Sequence, residues 1–507
     1  MGNTVKKWHP WLDKPGMRHS LALWQEQEIR QKNLPDYFPE NAEDVVQYVG
    51  RNRLYVLCRD ILDQSEFPYG DELLQHEKSE AYVQKHGKIV AVRLRAGRYN
   101  GFLIPSRTWN HAVPGPELVE DLEDLFHLFG FEAITPASLS EKVFRATLGE
   151  HHTIYRPSVD VRKILLEYGE GGRIDEAVEG HLYPVVYTYD IRSAYLFYAR
   201  SVPTPFRPPF YHSLPDLHWI LDYPVGFWKV EMLAHGMGIH PIFLDDRKLG
   251  NRCGKRFPKE GEQFVKWMWS GEIRDCIEKG YTLLHCYRGY RWAELSDCMA
   301  PWSDILWDAY SSVSRETLRS IIKSMWVGLP GRFLKQPYVY NLIDQEHVRT
   351  GDIPVGTNWF HFHSNWNEID TAHPPKFLTK WYVRAEYDKE STALTPIGAY
   401  IISECRREIY RLQLEEEKKG NVLLGSYVDS VSFARRATSF LHRIGAEPGD
   451  LREEISVDGW REMNRFIREV DGTLEVRAPG IYDTKWEQKR TLLLQKYREI
   501  CAKQKQI

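Results

Sequence analysis

The run Val185-Val186-Tyr187-Thr188-Tyr189-Asp190-Ile191-Arg192-Ser193-Ala194-Tyr195 decides how this chain is interpreted. Apolar and aromatic residues lead into one carboxylate, Asp190, and Ser193 and Tyr195 follow it at fixed offsets. An aspartate at the end of a buried strand is costly unless a positive charge lies against it. Mg²⁺ is a suitable partner because it favours carboxylate oxygens and substrate phosphates. The run therefore predicts a metal-binding strand end.

A second candidate acid, Asp429, lies far downstream in the β-rich run 421–433. Two acids brought together from separate strands would hold the pair of metal ions that drives nucleotidyl transfer. The formal net charge of the 507-residue chain is only −3, so any nucleic acid must be bound by local positive charge. One candidate region is the C-terminus from Lys485 onward, where Lys and Arg outnumber Glu.

Length and composition indicate a globular protein of roughly two to four domains. The seven cysteines are scattered and form no Cys-x-x-Cys pair. This pattern favours a reducing compartment over a disulfide framework or a zinc site. No apolar run is long enough to cross a membrane, and the N-terminus lacks the apolar segment of a signal peptide. We therefore expect a cytoplasmic protein without a membrane partner.

Periodicity and turn signals divide the chain into predicted elements. Strands are predicted at 52–58 and 87–95, and helices near 42–49, over 116–130, from 138, from 396 to about 414, and through most of the segment after 436. The aromatic segment 334–392 is expected to be rich in loops.

A longer helical pattern covers 302–327 and breaks near 311–314. In its second half, Arg319 and Lys323 are four residues apart, which places both cations on one face of the helix. The glycine and proline residues of 328–331 are expected to end this helix.

The order of these features resembles that of one family, the family B DNA polymerases, and within it the protein-primed branch of phages, plasmids and organelles. Residues 190–195 match its motif A, Asp-x-x-Ser-x-Tyr, although Leu196 replaces the usual proline. The resemblance implies that Asp190 is a catalytic metal ligand and that the Ile191 carbonyl helps to hold the metal. It also implies that Ser193 and Tyr195 belong to the substrate site, with Tyr195 under the nucleotide sugar, where it excludes a ribose 2′-hydroxyl.

The stretch Lys323–Phe333 resembles motif B, a lysine followed by Asn-Ser-x-Tyr-Gly. Lys323 and Gly331 keep the family's separation. The family's Asn, Ser and Tyr are replaced by Val327, Gly328 and Pro330. The resemblance implies that Lys323 is catalytic and that Arg319, one turn earlier, helps it to bind the triphosphate. Gly331 is assigned to the same substrate site, and the replacements imply an altered packing of the nascent base pair.

Residues 427–430, Tyr-Val-Asp-Ser, resemble motif C, Tyr-x-Asp-Thr-Asp-Ser, with one acid instead of two. We align Asp429 with the second Asp, because that Asp is the family's metal ligand, and Tyr427 then takes the place of the first. In the other register, Asp429 matches the first Asp and Val431 the second. In both registers Asp429 is the only acid available, so the resemblance makes it the second catalytic metal ligand.

Two weaker matches flank these motifs. Tyr168 with the glycines of 171–172 resembles the family's Tyr-x-Gly-Gly linker, with one extra residue. Tyr482 lies where the family has Lys-x-Tyr at the primer terminus, with Gly480 in place of the lysine. Proofreading members carry Asp-x-Glu on a first strand, but here residues 121–123 place these letters in a helical pattern. We therefore expect proofreading to be absent or its module degenerate.

The resemblance implies an α/β (α+β) right-hand polymerase that uses two Mg²⁺ or Mn²⁺ ions. Its partners would be primer–template DNA, deoxynucleoside triphosphates and a priming or replication protein, in the host of a phage or mobile element or in an organelle. The expected parts are a degenerate exonuclease-like or novel module at 1–167, a palm with motif A at 168–300, fingers at 301–333, an insertion and second part of the palm at 334–435, and a helical thumb at 436–507.

Two other functions stay open at this point. A reverse-transcriptase-like polymerase is one, because residues 427–429 are similar to the start of Tyr-x-Asp-Asp, although Ser430 breaks the pair of acids. The other is a decayed polymerase kept as a nucleic-acid-binding replication protein. The missing acid of motif C and the altered motif B favour it.

Overall fold

The computed structural model is a mixed fold of helices and mainly antiparallel sheets. It describes residues 45–49, 53–58, 80–83, 89–96, 99–105, 109, 116–133, 135–148, 157–169, 171–176, 182–222, 225–236, 238–245, 255–334, 338–344, 358–361, 381–387, 393–457, 460–464, 467–470 and 473–476. The chain divides into two compact units. The first comprises Met1–Ala146, Leu306–Leu329 and Lys335–Ser391, and the second comprises Thr147–Ile305, Pro330–Leu334 and Thr392–Ile507.

Strands and helices occur along the whole described chain. The strands are β1 (Val45–Val49), β2 (Arg53–Cys58), β3 (Glu80–Val83), β4 (Ile89–Ala96), β5 (Tyr99–Pro105), β6 (Arg173–Glu176), β7 (Leu182–Tyr183), β8 (Val186–Ile191), β9 (Phe210–Ser213), β10 (Gly226–Leu233), β11 (Leu244–Asp245), β12 (Lys255–Arg256), β13 (Gln263–Trp269), β14 (Thr282–Arg291), β15 (Tyr338–Asp344), β16 (Asn358–His361), β17 (Trp381–Tyr387), β18 (Leu423–Val428), β19 (Ser430–Phe433), β20 (Leu451–Ser456), β21 (Trp460–Asn464), β22 (Ile467–Val470) and β23 (Thr473–Val476). The helices are α1 (Pro116–Phe129), α2 (Pro136–Thr147), α3 (Val159–Tyr168), α4 (Ala194–Ser201), α5 (Leu217–Asp222), α6 (Ser270–Glu278), α7 (Ala300–Ser312), α8 (Glu316–Phe333) and α9 (Thr395–Lys418). The predicted mixture of helices and sheets is confirmed.

The first unit contains a sheet in the order β1-β2-β5-β4-β3, in which β2 and β5 are parallel. Strands β2 and β4 confirm the strands predicted at 52–58 and 87–95. The helix predicted near 42–49 is wrong, because Val45–Val49 is a strand that pairs with β2. Its three valines favour extended backbone, and pairing decides the conformation of so short a segment. The segment predicted as loops, 334–392, supplies the sheet β15-β17-β16.

Helices α1 and α2 confirm the helices predicted over 116–130 and from 138. Leu118, Leu122 and Leu125 form the buried side of α1, as its spacing predicted. The Asp-x-Glu letters of residues 121–123 therefore lie within a helix, and Asp121 is buried and paired with Arg315 at 3.0 Å.

The predicted break near 311–314 is confirmed by the gap between α7 and α8, but the helix end predicted at Gly328 is wrong. Helix α8 continues to Phe333 and contains Pro330. A Cβ on Gly328 would lie 2.9 Å from the Cβ of Ala137 in α2. Glycine at this position thus permits close packing of two helices, and it does not end one.

The second unit contains three larger sheets, in the orders β20-β8-β19-β18-β6, β13-β10-β14-β9 and β23-β22-β21-β7. The first of these will be called the carboxylate sheet, because β8 carries Asp190. Helix α9 packs on its strands β18 and β19. The helix predicted from Pro396 is confirmed, and its residues Ile402, Cys405 and Ile409 are buried as predicted.

The helices predicted after residue 436 are wrong over the part of 436–507 that the structure describes, while the assignment of this segment as a thumb stays a prediction. One 3₁₀ turn, Leu441–Arg443, is followed by the four strands β20 to β23. Strand β20 pairs with β8 along its whole length. Its many charged residues resemble a solvated helix in composition, but cross-strand pairing with β8 overrides that preference.

No helix in the described part of the chain has the length and apolar character that crossing a membrane requires.

Candidate active site

The carboxylate sheet brings the two predicted acids together. Asp190 pairs in register with Ser430 of β19 on one side and with Arg452 of β20 on the other. Asp429 directly precedes Ser430, and its backbone carbonyl accepts a hydrogen bond from the Ile191 N–H at 2.9 Å. The two acids therefore lie at the same end of neighbouring strands, although their motifs are far apart in the sequence.

A tight turn between β18 and β19 presents Asp429. Tyr427 pairs with Ser430, so Val428 and Asp429 are the two turn residues. Val428 has a φ of +59°, which a β-branched residue rarely adopts. A Cβ on Gly172 would come within 2.7 Å of the Val428 Cγ1, so this glycine of the predicted linker makes room for the strained turn. Such strain is typical of functional sites, where the surrounding structure fixes it.

The turn also bears on the two possible registers of motif C. Val431, the second acid position in one register, is fully buried and lies opposite Tyr189 in the sheet. A carboxylate there would point into the core rather than toward Asp190. The geometry therefore favours the register in which Asp429 matches the second acid of the motif.

A cation is already paired with Asp190. The Arg452 Nη2 lies 3.2 Å from the Asp190 Oδ2 and 2.9 Å from the Glu454 Oε1. All three side chains are partly or largely exposed. Water screens exposed ion pairs, so this pair is weak and a competing cation can displace the arginine.

Two less exposed side chains lie close enough to the acids to respond to their charge. Burial raises the pKa of the Cys405 thiol well above its usual value, and the Asp429 and Asp190 carboxylates raise it further. Burial likewise raises the pKa of the Tyr195 hydroxyl, and Cys405 and Asp429 add to that shift. Thiol and phenol are therefore neutral at physiological pH, and both acids act on the same buried thiol.

The connection from β8 to α4 positions the rest of motif A. Ile191 is buried, and Ser193 has a φ of +49° in the left-handed region. Helix α4 then begins at Ala194, and the Ser193 hydroxyl makes no capping hydrogen bond to it. Tyr195 consequently lies in the first turn of α4, directly after the end of β8.

The acids at this site fit a metal ion whose remaining coordination positions are filled by substrate. Among the described residues there is no group of three or more His, Cys, Asp or Glu side chains suited to a metal ion. Mg²⁺, however, commonly binds through one or two carboxylates and fills its remaining positions with water and substrate phosphates. Asp190 and Asp429 would supply those two carboxylates.

Of the four remaining predicted site residues, three lie on α8 and one lies outside the part of the chain that the structure describes. On α8, Lys323 is exposed and the Arg319 guanidinium lies 4.4 Å from the centre of the Tyr310 ring. Gly331 is exposed in the last turn of the same helix. Tyr482 lies outside the described residues. The substrate contacts assigned to these four residues stay predictions.

Comparison with known proteins gives one family match. A family model described as DNA polymerase type B, organellar and viral, matches residues 117–351. This match covers fewer than half of the 507 residues. The predictions of family and of DNA-directed DNA polymerase activity are thereby confirmed. None of the curated proteins matches the chain at a significant level.

Solved structures agree with this family at the level of the fold. Phi29 DNA polymerase complexed with single-stranded DNA matches with a TM-score of 0.57 and 14% identity, over 80% of this chain and 75% of that one. Phi29 DNA polymerase complexed with primer–template DNA and incoming nucleotides matches with a TM-score of 0.59 and 13% identity, over 81% of this chain and 79% of that one. At such identities the likeness shows a shared fold.

Sequence reasoning missed Arg452 as a member of the site. In the structure Leu451 and Glu453 are buried or half-buried while Arg452 and Glu454 are more exposed, but the sequence of β20, Leu-Arg-Glu-Glu-Ile-Ser, shows no apolar–polar alternation. The sequence therefore carries no strand signal at Arg452, and the charged composition of this segment favours a helix instead.

Proposed function

We propose that this type B polymerase extends a primer 3′ end on a DNA template, using divalent metal ions held by Asp190 and Asp429. The observation that carries the proposal is the pairing of β8 with β19, which sets the Ile191 N–H on the Asp429 carbonyl at 2.9 Å. The two acids lie at one end of the sheet, and the nearby Arg452 is held only weakly. This arrangement can bind metal ions that carry the triphosphate of a nucleotide.

Asp190 and Asp429 would hold the Mg²⁺ or Mn²⁺ ions, with help from the Ile191 carbonyl. When bound, such ions lower the pKa of an attacking hydroxyl and neutralise the charge of a leaving pyrophosphate. The protein's own contribution is then to position the primer end and the nucleotide. The use of two ions rather than one is part of the proposal.

Tyr195 and Ser193 would shape the pocket for the sugar of the incoming nucleotide. Tyr195 is fixed in the first turn of α4 and keeps its hydroxyl proton because burial raises its pKa. A neutral ring fixed in this position would exclude a ribose 2′-hydroxyl by steric hindrance alone. The Ser193 hydroxyl makes no capping bond to α4 and is therefore available in the same loop.

Partners follow from the same proposal. The phi29 enzyme of the solved structures is complexed with primer–template DNA and incoming nucleotides. We assign primer–template DNA and deoxynucleoside triphosphates to this chain, and a priming or replication protein as a further partner. The division into palm, fingers, insertion and thumb, and the setting in a phage host, mobile element or organelle, belong to the proposal as well.

We also propose that the protein does not proofread. None of the strands β1 to β5 contains the Asp-x-Glu letters expected of an exonuclease strand. The one such triplet considered, residues 121–123, is helical, and its Asp121 is committed to Arg315 in the interior of the first unit. Asp121 therefore has a structural partner, and its burial is explained without assigning it a metal ion.

The direct test is primer extension on a defined DNA template, with Mg²⁺ or Mn²⁺ and with a lane that lacks primer. We expect extension of a matched primer and persistence of a mismatched 3′ nucleotide. A parallel RNA template separates this activity from that of a reverse transcriptase. If no template and metal combination gives extension, the proposed reaction is wrong.

A decayed polymerase that only binds nucleic acid is the second candidate. The single acid of motif C and the arginine beside Asp190 favour it. A titration with Mn²⁺ in the presence of DNA and nucleotide decides between the two, because the decayed protein would bind no ion at the pair of acids.

The Arg452–Asp190 ion pair leads to a prediction about metal affinity. Arg452→Ala removes a cation that competes for Asp190, so Mn²⁺ should bind up to about fivefold more tightly, as expected for an exposed pair worth at most about 1 kcal/mol. Calorimetry or electron paramagnetic resonance of Mn²⁺ measures this without turnover. Arg436→Ala is the matched control, because Arg436 pairs with Glu453 of the same strand, whose side chain points to the opposite face of the sheet. Equal or weaker Mn²⁺ binding by Arg452→Ala would contradict the competition.

The assignment of Lys323 to the triphosphate leads to a second prediction. Lys323→Ala should raise the KM for nucleotides by about 10- to 100-fold, the loss expected for a hydrogen bond to a charged group. DNA affinity should change much less, because the residue would contact the nucleotide and not the duplex. Steady-state extension and DNA titration give the two quantities. Lys323→Arg, which keeps the charge, should retain most of the affinity.

A further inference from the structure

The sheet β13-β10-β14-β9 of the second unit has one face in the core. Trp228, Val230 and Met268 are buried there with Ile220 of α5 and Ile273 of α6. Since successive side chains of a strand point to opposite faces, the residues between these core positions lie on the other face. Part of that face is covered, because Phe227, Trp267 and Trp269 are buried there in a second core cluster against which Tyr290 packs.

That other face carries a group of rings and cations. Lys229 of β10 lies opposite Arg288 of β14, and Tyr290 of β14 lies opposite Tyr211 of β9. The Lys229 Nζ lies 5.7 Å from the centre of the Tyr287 ring, so Tyr287, next to a bulge, belongs to the same face. Tyr211, Lys229, Tyr287, Arg288 and Tyr290 will be called the platform.

The platform offers rings to solvent beside positive charge. Tyr211 is 55% exposed, and its ring is tilted by 56° against that of Tyr290, with the ring centroids 5.5 Å apart. Arg288 is exposed, with its guanidinium 5.8 Å from the centre of the Trp267 ring. One carboxylate of this face, Glu231, already accepts a hydrogen bond from the Tyr287 hydroxyl at 2.7 Å. Burial raises the pKa of the Tyr290 hydroxyl, and a second carboxylate, Asp160, lies close enough to add to that shift, so Lys229 and Arg288 stand beside two acids among the described residues.

We propose that the platform binds single-stranded nucleic acid, with a base stacked on Tyr211 and phosphates at Lys229 and Arg288. Exposed rings accept the flat face of any base, and cations beside them follow the phosphate backbone. A sheet is well suited to this role because its rings are fixed in rows by cross-strand pairing.

A protein partner fits the platform less well. Protein interfaces are depleted in lysine at their centres, whereas here a lysine and an arginine stand among the rings. The site does not depend on metal at Asp190 and Asp429, since none of its residues belongs to the carboxylate sheet. An experiment can therefore contradict binding at the platform without contradicting the proposed polymerase reaction, and the reverse.

The test measures the affinity of the full chain for a fluorescent single-stranded oligonucleotide of about 12 nucleotides, within the range of known single-strand sites. Fluorescence anisotropy with EDTA present excludes binding through divalent metal. Tyr211→Leu should weaken binding by about 5- to 100-fold, the loss of one stacked base. The matched control is Phe210→Leu, because Phe210 is 56% exposed and adjacent but points to the opposite face of the sheet. This control should change affinity less than about twofold.

The salt dependence tests the cations separately. For a single strand, each phosphate contact contributes about 0.7 to the slope of log affinity against log salt. Lys229→Ala and Arg288→Ala should each lower the magnitude of that slope by about this amount. Tyr211→Leu should leave the slope unchanged, because stacking releases no counterion.

The proposal is overturned if Tyr211→Leu and Phe210→Leu weaken binding equally, or if the double cation variant keeps the wild-type slope. It is also overturned, in favour of a protein contact, if Tyr211→Leu changes the sedimentation of the protein but not its affinity for the oligonucleotide. All variants should keep the wild-type melting temperature and extend a short primer–template, since these side chains lie at the surface.

Discussion

Replacing Asp190 with Asn is expected to slow primer extension by about 10³-fold or more while the affinity for DNA changes little. Asn keeps the shape of the side chain but removes one of the two negative charges that would hold the metal. A 10³-fold loss corresponds to about 4 kcal/mol of barrier, which one metal ligand can supply. The variant should fold, because the ion pair that it loses, with Arg452, is partly exposed to water and therefore weak.

Single-turnover extension and a DNA titration measure the two expected quantities. Asp429→Asn should behave alike, and the double variant should be hardly slower than either single one, because the two acids act as a unit. Glu453→Gln is the control, since Glu453 is a neighbouring acid of the same sheet that pairs with Arg436 on the opposite face. Extension by Asp190→Asn at the wild-type rate would remove the basis of the proposed mechanism.

Arg407→Leu is expected to destabilise the protein by about 3–5 kcal/mol, the cost of leaving a buried acid without its partner. Its Nε and Nη2 donate to Asp275 of α6 at 2.6 and 3.0 Å, and its Nη1 donates to Glu404 at 2.9 Å. Burial alone lowers the pKa of Arg407, but the carboxylates of Asp275 and Glu404 outweigh that effect and raise it. The arginine therefore stays charged and joins α9, which carries Cys405 near the two acids, to α6.

Thermal and chemical unfolding measure this loss of stability. Arg411→Leu is the control on the same helix, because its side chain is 48% exposed, against 10% for Arg407, and it lies 3.7 Å from Asp275. It should cost less than about 1 kcal/mol. Combining Arg407→Leu with Asp275→Leu should recover part of the stability, because the unpaired acid is then removed. A single Arg407→Leu variant as stable as wild type would show that this network contributes nothing.

The sequence correctly predicted the helices and strands whose conformation depends mainly on the order of their own residues. The apolar spacing of Leu118, Leu122 and Leu125 predicted α1, and the run before Asp190 predicted the strand β8. Such signals survive because burial of one helix face, or of a strand core, depends on the order of residues within the element.

The errors have a different origin. Segment 451–476 is charged and was expected to be helical, yet its first strand, β20, is fixed by pairing with β8. Gly328 was expected to end a helix, yet its lack of a side chain lets Ala137 approach. In both places a partner distant in the sequence decides the conformation, and single-sequence propensity contains no information about that partner.

The sequence by itself determined the family resemblance, the two acids and the cationic helix, because motifs are properties of residue order. Only the tertiary structure decided that Asp190 and Asp429 share one end of a sheet, that Arg452 pairs with Asp190, and that the strained turn at Val428 fits against Gly172. These features arise from strand pairing between segments more than 200 residues apart, which are opposed at Asp190 and Ser430. The register of such pairs is set by the packing of whole sheets and not by any stretch of sequence alone.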